Sequence, residues 1–148
     1  MDKLGIEGLP LRLLISLLLI SLSLPVVMDQ IDRQEGEMAE LAVREKAEKV
    51  KKVAVSVYMA GPGNVRTVEV DLSPGSSMII GGSISDPDSR SIRFLLDGES
   101  AGVEYLDTVP VRISNDGESP LSLGSPGGQL VISCVTDESG YWVKVEKG

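Results

Sequence analysis

An uninterrupted apolar run near the N-terminus constrains this chain more than any other feature. Residues 13–28 read LLISLLLISLSLPVVM and carry no charge, and Leu9 and Leu11 extend the run past Arg12. As a helix, about 20 residues cover about 30 Å, which is the thickness of the hydrocarbon core of a bilayer. The sequence therefore predicts a transmembrane or assembly helix over residues 9–28.

The charges that flank this run predict its orientation. Lys3 and Arg12 precede the uncharged stretch, whereas Asp29 and Asp32 follow it. Because cytoplasmic flanks of membrane helices are enriched in lysine and arginine, residues 1–8 are predicted to be a cytoplasmic N-terminus or leader. We expect a single-pass cell-membrane protein whose C-terminal domain is extracellular.

Two other interpretations of the apolar run stay open. A cleaved secretory signal has a short positive region, an apolar core and small residues before the cut, and Ser21 and Ser23 fit that layout. The apolar residues continue beyond that point to Met28, which favours an uncut helix. A buried core helix is the second alternative, but a domain this small has too little mass to cover a helix that is apolar on every side.

Residues 29–52 differ sharply from the run before them, with seven acidic and six basic side chains and no proline. A thin apolar stripe recurs at helical spacing, formed by Ile31, Met38, Leu41 and Ala42. Two acid–base pairs stand four residues apart, Glu40 with Arg44 and Glu45 with Lys49. The segment predicts a charged helical stalk that continues the apolar helix. It is either a solvated spacer or a helix that packs against copies of itself.

From residue 53 onward the hydrophobic period changes to two, and glycine, proline and aspartate become frequent. Residues 53–58 and 65–71 flank the turn Gly61-Pro62-Gly63-Asn64, which predicts a hairpin. Further strands are predicted over residues 78–84, 91–96, 103–106, 109–114, 129–136 and 141–146. Short strands at this spacing predict an extracytoplasmic β-sandwich or small barrel over residues 53–148. The predicted fold class is α+β, a long N-terminal helix followed by an all-β sandwich-like domain.

The side-chain inventory excludes several classes of chemistry. The chain has no histidine and one cysteine, Cys134, so it has no Ser-His-Asp or Cys-His catalysis, no intrachain disulfide and no multi-thiolate zinc site. Its net charge of −8 argues against nucleic acid, because phosphate binding needs a basic face. We expect a non-enzymatic protein with no catalytic, cofactor-binding or metal-binding residues.

A few residues of the β region remain as candidates for chemistry or packing. Asp86 and Asp88 could ligate calcium, but the EF-hand spacing is missing and Asp-Pro-Asp is common in turns, so we favour a turn. Cys134 lies inside an apolar strand, which predicts a buried thiol. Tyr141 and Trp142 are expected to anchor the last strand in the core.

The N-terminal segment Asp2-Lys3-Leu4-Gly5-Ile6-Glu7-Gly8 precedes a Leu/Ile-rich helix, a charged continuation and a glycine- and valine-rich β domain. This order of parts resembles the archaeal type IV pilin-like proteins, which include pilins, archaellins and pseudopilin-like relatives with a class III type signal segment. The resemblance implies cleavage by a prepilin peptidase after Gly5 or Gly8. It also implies that residues 9–28 leave the membrane lipid and bundle with other pilin-like subunits in a surface filament.

The composition of the apolar helix leaves a second function open. A helix rich in leucine and isoleucine is equally compatible with lipid and with identical helices, and residues 9–28 contain no Gly-x-x-x-Gly motif for specific pairing. The alternative function is a single-span, signal-anchored binding module of the cell envelope that does not polymerise. An enzyme is disfavoured, because no polar motif converges on a site.

Overall fold

The computed structural model describes residues 3–107 and 109–148, with side chains from Pro10 onward. Within these residues one long helix, α1, is followed by eight strands. The elements are α1 (Lys3–Ala60), β1 (Val65–Asp71), β2 (Ser76–Ile80), a 3-10 turn (Pro87–Arg90), β3 (Ser91–Leu96), β4 (Glu99–Tyr105), β5 (Ile113–Ser114), β6 (Leu121–Gly124), β7 (Gly127–Asp137) and β8 (Gly140–Lys147). This order confirms the predicted α+β class.

The chain divides into two compact units, Met1–Met38 and Ala39–Gly148. The first unit contains the N-terminal part of α1, which remains helical through Pro10 and Pro25. The second unit contains the C-terminal part of α1 and all eight of the strands that the structure describes.

The strands form two four-stranded sheets. One sheet has the order β1-β7-β8-β5 and the other the order β4-β3-β2-β6. All neighbouring strands are antiparallel except β5 and β8, which are parallel. Buried residues of both sheets and of α1 belong to one hydrophobic core, which includes Val50, Val70, Ile80, Phe94, Ile132 and Val143. Each fully buried side chain of this size stabilises the two sheets by about 2 kcal/mol.

The C-terminal part of α1 packs on the β strands through one face of small apolar residues. That face consists of Val43, Ala47, Val50, Ala54 and Val57, all of them fully or almost fully buried. Lys49 Nζ donates to the Glu69 carbonyl of β1 at 3.0 Å. Glu104 of β4 accepts ion pairs from Arg44 and Lys51. Since β1 and β4 are edge strands of different sheets, these polar contacts join α1 to one edge strand of each sheet.

The prediction of a first strand over residues 53–58 is wrong, because α1 extends to Ala60 instead of ending at Lys52. The alternating valines there suggested a period of two, but Ala54 and Val57 continue the spacing of three and four that begins at Val43. Packing against the sheets therefore determines the local structure. The predicted stripe of Ile31, Met38, Leu41 and Ala42 is exposed.

The other strand predictions are of mixed accuracy. β1 and β3 have the predicted bounds, whereas β2 ends at Ile80 and β5 is limited to Ile113–Ser114. The prediction missed β6, a short strand in which Leu121 and Leu123 are buried while the residues between and after them are exposed. The Asp97-Gly98 turn that joins β3 to β4 has positive φ at both residues, 51° and 83°. This conformation matches the twist of a two-residue hairpin.

Candidate functional site

The most prominent surface of the described chain is the apolar segment of α1, residues 11–28. Its large hydrophobic side chains are all exposed, from 48% for Ile15 to 71% for Leu17. Among the described residues, α1 contains the one stretch that is long and apolar enough to cross a membrane by length and composition. A signal sequence near an N-terminus meets the same criterion.

Removing a leucine or isoleucine side chain from water contributes about 2 kcal/mol. Covering the whole exposed segment with lipid or protein would therefore be strongly favourable.

The hydroxyl groups within the segment are compatible with an apolar medium. Ser21 Oγ donates to the Leu18 carbonyl and Ser23 Oγ to the Ile20 carbonyl, both at 3.0 Å. These two serines satisfy their hydrogen bonds inside the helix, so they need no water in lipid or between helices.

The predicted leader is only partly within the described residues. Gly5 and Gly8 lie in the backbone of α1, whereas Met1 and Asp2 lie outside the described residues. Cleavage after Gly5 or Gly8 stays a prediction.

Asp86 and Asp88 build a turn, as the sequence favoured. Asp86 precedes the 3-10 turn, and its carbonyl accepts hydrogen bonds from Ser89 N and Ser89 Oγ at 3.1 and 2.7 Å. Asp88 Oδ2 pairs with Arg93 Nη1 at 3.3 Å. Residues 10–107 and 109–148 contain no group of three or more acidic or cysteine side chains placed to hold a metal ion.

Two carboxylates, Asp116 and Asp137, line a cleft of about 370 Å³ next to Trp142. Asp116 Oδ1 accepts hydrogen bonds from the backbone N–H groups of Glu118 and Ser119 at 2.9 and 2.7 Å, and these bonds lower the pKa of the Asp116 carboxyl. Hydrogen bonds from Ser139 lower the pKa of Asp137 in the same way, with a smaller contribution from the Trp142 indole, whose Nε1 donates to Oδ2 at 2.7 Å. Both carboxylates therefore order loops of the second unit, Ala39–Gly148, which we call the β-rich unit.

The two aromatic residues of β8 have different environments. Trp142 is 7% exposed, as predicted, but Tyr141 is 52% exposed and the prediction that it lies in the core is wrong. Alternation along β8 places Tyr141 on the same face as the buried Val143 and Val145, so the exposure of Tyr141 reflects its position at the start of the strand, next to Gly140. Trp142 lies on the opposite face of β8, where it lines the cleft of about 370 Å³ together with Lys144 and Glu146.

The prediction of a buried thiol at Cys134 is confirmed. The side chain is 2% exposed within β7, and removal from water raises the pKa of the thiol. A buried thiol with a raised pKa carries little of the reactive thiolate at neutral pH. Cys134 therefore acts as a small apolar residue of the core.

The chain was compared with protein families, with curated proteins and with solved structures. None of these three comparisons found a match.

Proposed function

We propose that this chain is a non-enzymatic structural subunit, pilin-like or pseudopilin-like, that is anchored or assembled through its N-terminal helix. Its acidic β domain, with the two sheets arranged as a sandwich, is displayed outside the cell. The observation that carries the proposal is the continuity of α1. The same helix is apolar and exposed over residues 11–28 and packs on the strands of the β-rich unit over residues 43–57.

The exposed segment is apolar on every side, which limits what can cover it. A one-sided partner would leave most of the leucines in water, whereas lipid or a bundle of like helices covers the whole circumference. Lipid tails are as apolar as leucine side chains, so the segment has a similarly apolar environment in the bilayer and in such a bundle. The segment is therefore compatible with membrane storage before assembly and with a filament core after it.

The distribution of charge supports an extracellular β domain. Lys3 and Arg12 precede the uncharged part of the segment, and basic residues are retained on the cytoplasmic side. Residues 53–148 contain thirteen acidic and six basic residues, a net charge of −7. This charge keeps the domain soluble and repels it from anionic headgroups.

A single-span, signal-anchored envelope module is the second candidate, and Arg12 favours it. Arg12 is exposed and lies near one end of the apolar segment. In a bilayer, an arginine near a helix end extends its guanidinium to the headgroups at little cost. In a closely packed helix bundle the same charge would need a partner, so Arg12 suits a helix that stays in lipid.

The exact mass of the protein purified from its native membrane, with and without an active prepilin peptidase, tests the proposal. We expect loss of residues 1–5 or 1–8 only when the peptidase is active. Gly5→Val and Gly8→Val identify which glycine precedes the cut, and Gly36→Ala is the matched control because nothing lies within 4 Å of an added Cβ there. An intact N-terminus contradicts processing and leaves the anchored module, whereas a cut near Ser23 indicates a secreted domain.

A cysteine substituted for Leu17 tests assembly separately from processing. The natural thiol, Cys134, is buried and does not compete for an oxidant. In a filament core, Leu17→Cys is expected to form disulfide-linked dimers, whereas Val65→Cys, exposed on β1, stays monomeric. Monomers from both variants under the same oxidation would contradict helix-to-helix assembly.

A further inference from the structure

A second cleft of the β-rich unit, which we call the Tyr105 cleft, has a volume of about 550 Å³. It lies beside the 3-10 turn, and its polar lining includes Ser85, Asp86, Arg90, Tyr105, Asp107 and Arg112. The assembly proposed above makes no use of these residues.

One backbone hydrogen bond and two hydrogen bonds from the Arg112 side chain hold parts of the Tyr105 cleft lining in place. Leu106 N donates to the Arg90 carbonyl at 2.8 Å, which joins the end of β4 to the 3-10 turn. Arg112 Nη2 donates to the Ser139 carbonyl at 3.0 Å, and its Nη1 donates to the Ile84 carbonyl at 3.4 Å. The Arg112 guanidinium is therefore held in place before any ligand arrives, which lowers the ordering cost of binding.

The charges of the cleft balance, although the domain around it is acidic. Asp86 and Asp107 supply two carboxylates, and Arg90 and Arg112 supply two guanidinium groups. None of these four side chains is in an ion pair within 4 Å in the described residues, although the positive charge of Arg112 also acts on Asp137, which lies outside the cleft lining. The two carboxylates can accept hydrogen bonds and the two guanidinium groups can donate them, and the four charges sum to zero. This lining favours a neutral ligand whose groups both donate and accept hydrogen bonds.

Tyr105 adds an apolar surface to this polar lining. Tyr105 lines the cleft and its side chain is 54% exposed at the end of β4, so aromatic surface is accessible to a ligand there. A pyranose ring has an apolar C–H face and vicinal hydroxyl groups that both donate and accept hydrogen bonds. Carboxylates accept from hydroxyl pairs and guanidinium groups donate to them. We propose that the Tyr105 cleft binds a neutral carbohydrate of one or two sugar units.

Saturation-transfer difference NMR on the full chain in lipid nanodiscs tests this site, since detergents with sugar headgroups would compete. The probes are maltose, lactose and mannobiose, each at a concentration suited to a dissociation constant of about 1 mM. We expect transfer to the ring protons of at least one of these disaccharides. Tyr105→Ala is expected to weaken that binding about tenfold, whereas Tyr141→Ala removes an equally exposed tyrosine outside the cleft and leaves binding unchanged.

Polar variants provide a second measurement that does not depend on the aromatic ring. Asp107→Asn and Arg90→Gln are expected to weaken binding about tenfold each, and Asp71→Asn and Arg66→Gln, exposed on β1, are the matched controls. Absence of transfer to all three disaccharides would overturn the proposal, as would equal losses in the cleft and control variants. Binding of inorganic phosphate that is lost in Arg90→Gln, without binding of a neutral sugar, would replace it with an anion site.

Discussion

The two parts of α1 place apolar residues in opposite environments. Residues 11–28 present leucine, isoleucine and valine around the whole helix, and all of these side chains are exposed. From Val43 to Val57, only one face is apolar and it is buried under the strands. A helix that is apolar on one face finds its cover within the chain, whereas a helix that is apolar all round requires cover from other molecules.

Side-chain size follows the same division. The buried face consists of valine and alanine, which have small apolar side chains. The exposed segment is dominated by leucine, which has a larger apolar surface and suits lipid or helix packing. Residues 43–57 of α1 are therefore suited to packing within the chain, whereas residues 11–28 are suited to contact with other molecules.

The largest expected effect comes from adding charge to the exposed segment. Leu17→Arg combined with Leu18→Arg places two guanidinium groups near the middle of residues 9–28. Each costs about 3 kcal/mol at the centre of a membrane helix, so the pair disfavours insertion by about 6 kcal/mol. We expect the double variant to leave the membrane fraction, as measured by carbonate extraction and immunoblotting.

The matched control places the same charges on exposed apolar residues of α1 that lie between residues 28 and 43. Met38→Arg combined with Leu41→Arg is expected to remain in the membrane fraction, because both side chains are exposed and lie beyond the apolar segment. If both double variants leave the membrane equally, the division of α1 into two environments is wrong.

A charge on the buried face is expected to unfold the β-rich unit and leave membrane association intact. Val50 is fully buried, so Val50→Asp places a carboxylate in the core without a partner and costs about 4 kcal/mol of folding free energy. Trp142, the single tryptophan, reports denaturant unfolding of the full chain by its fluorescence. Lys52→Asp, two residues along on the exposed side, is the control and is expected to change stability little.

The accuracy of the sequence predictions depended on whether the deciding contacts were local. The apolar run, β1 and β3 were predicted because their patterns are complete within each segment. The apolar residues of 53–58 fit both the strand period of two and the helix period of 3.6 residues. The helix forms because these residues pack against strands that are distant in the sequence. The Tyr105 cleft was missed for the same reason, since it brings together the 3-10 turn, the end of β4 and Arg112.

A smaller effect is expected at the ion pairs that join α1 to β4. Glu104 lies 3.7 Å from Arg44 Nε and 3.6 Å from Lys51 Nζ, and its side chain is 19% exposed. Because Glu104 is partly buried and has two basic partners, we expect these ion pairs to contribute about 1 kcal/mol to the folding stability, the upper end of the range for surface ion pairs. Glu104→Gln is expected to lower stability by that amount in low salt and by less in high salt. Glu99→Gln, exposed on the same strand, should show no such loss.

The smallest effect distinguishes the two environments by pH. Residues 13–28 contain no ionisable side chain, so membrane association is expected to be the same at about pH 7 and about pH 3. In the β-rich unit, hydrogen bonds from Ser139 and Trp142 lower the pKa of Asp137. A lowered folded-state pKa contributes stability above the pKa of the unfolded chain, and that contribution is lost as the pH falls through the folded-state value.

The pH dependence is measured as the denaturant midpoint of Trp142 fluorescence for the full chain in nanodiscs. Asp137→Asn is expected to lower the midpoint at about pH 7 and to flatten its fall towards about pH 3, because the amide does not titrate. Glu138→Gln, an exposed neighbour, keeps the slope of the original chain. An unchanged slope in Asp137→Asn would show that other carboxyl groups, such as Asp116 with its lowered pKa, determine the acid response of this unit.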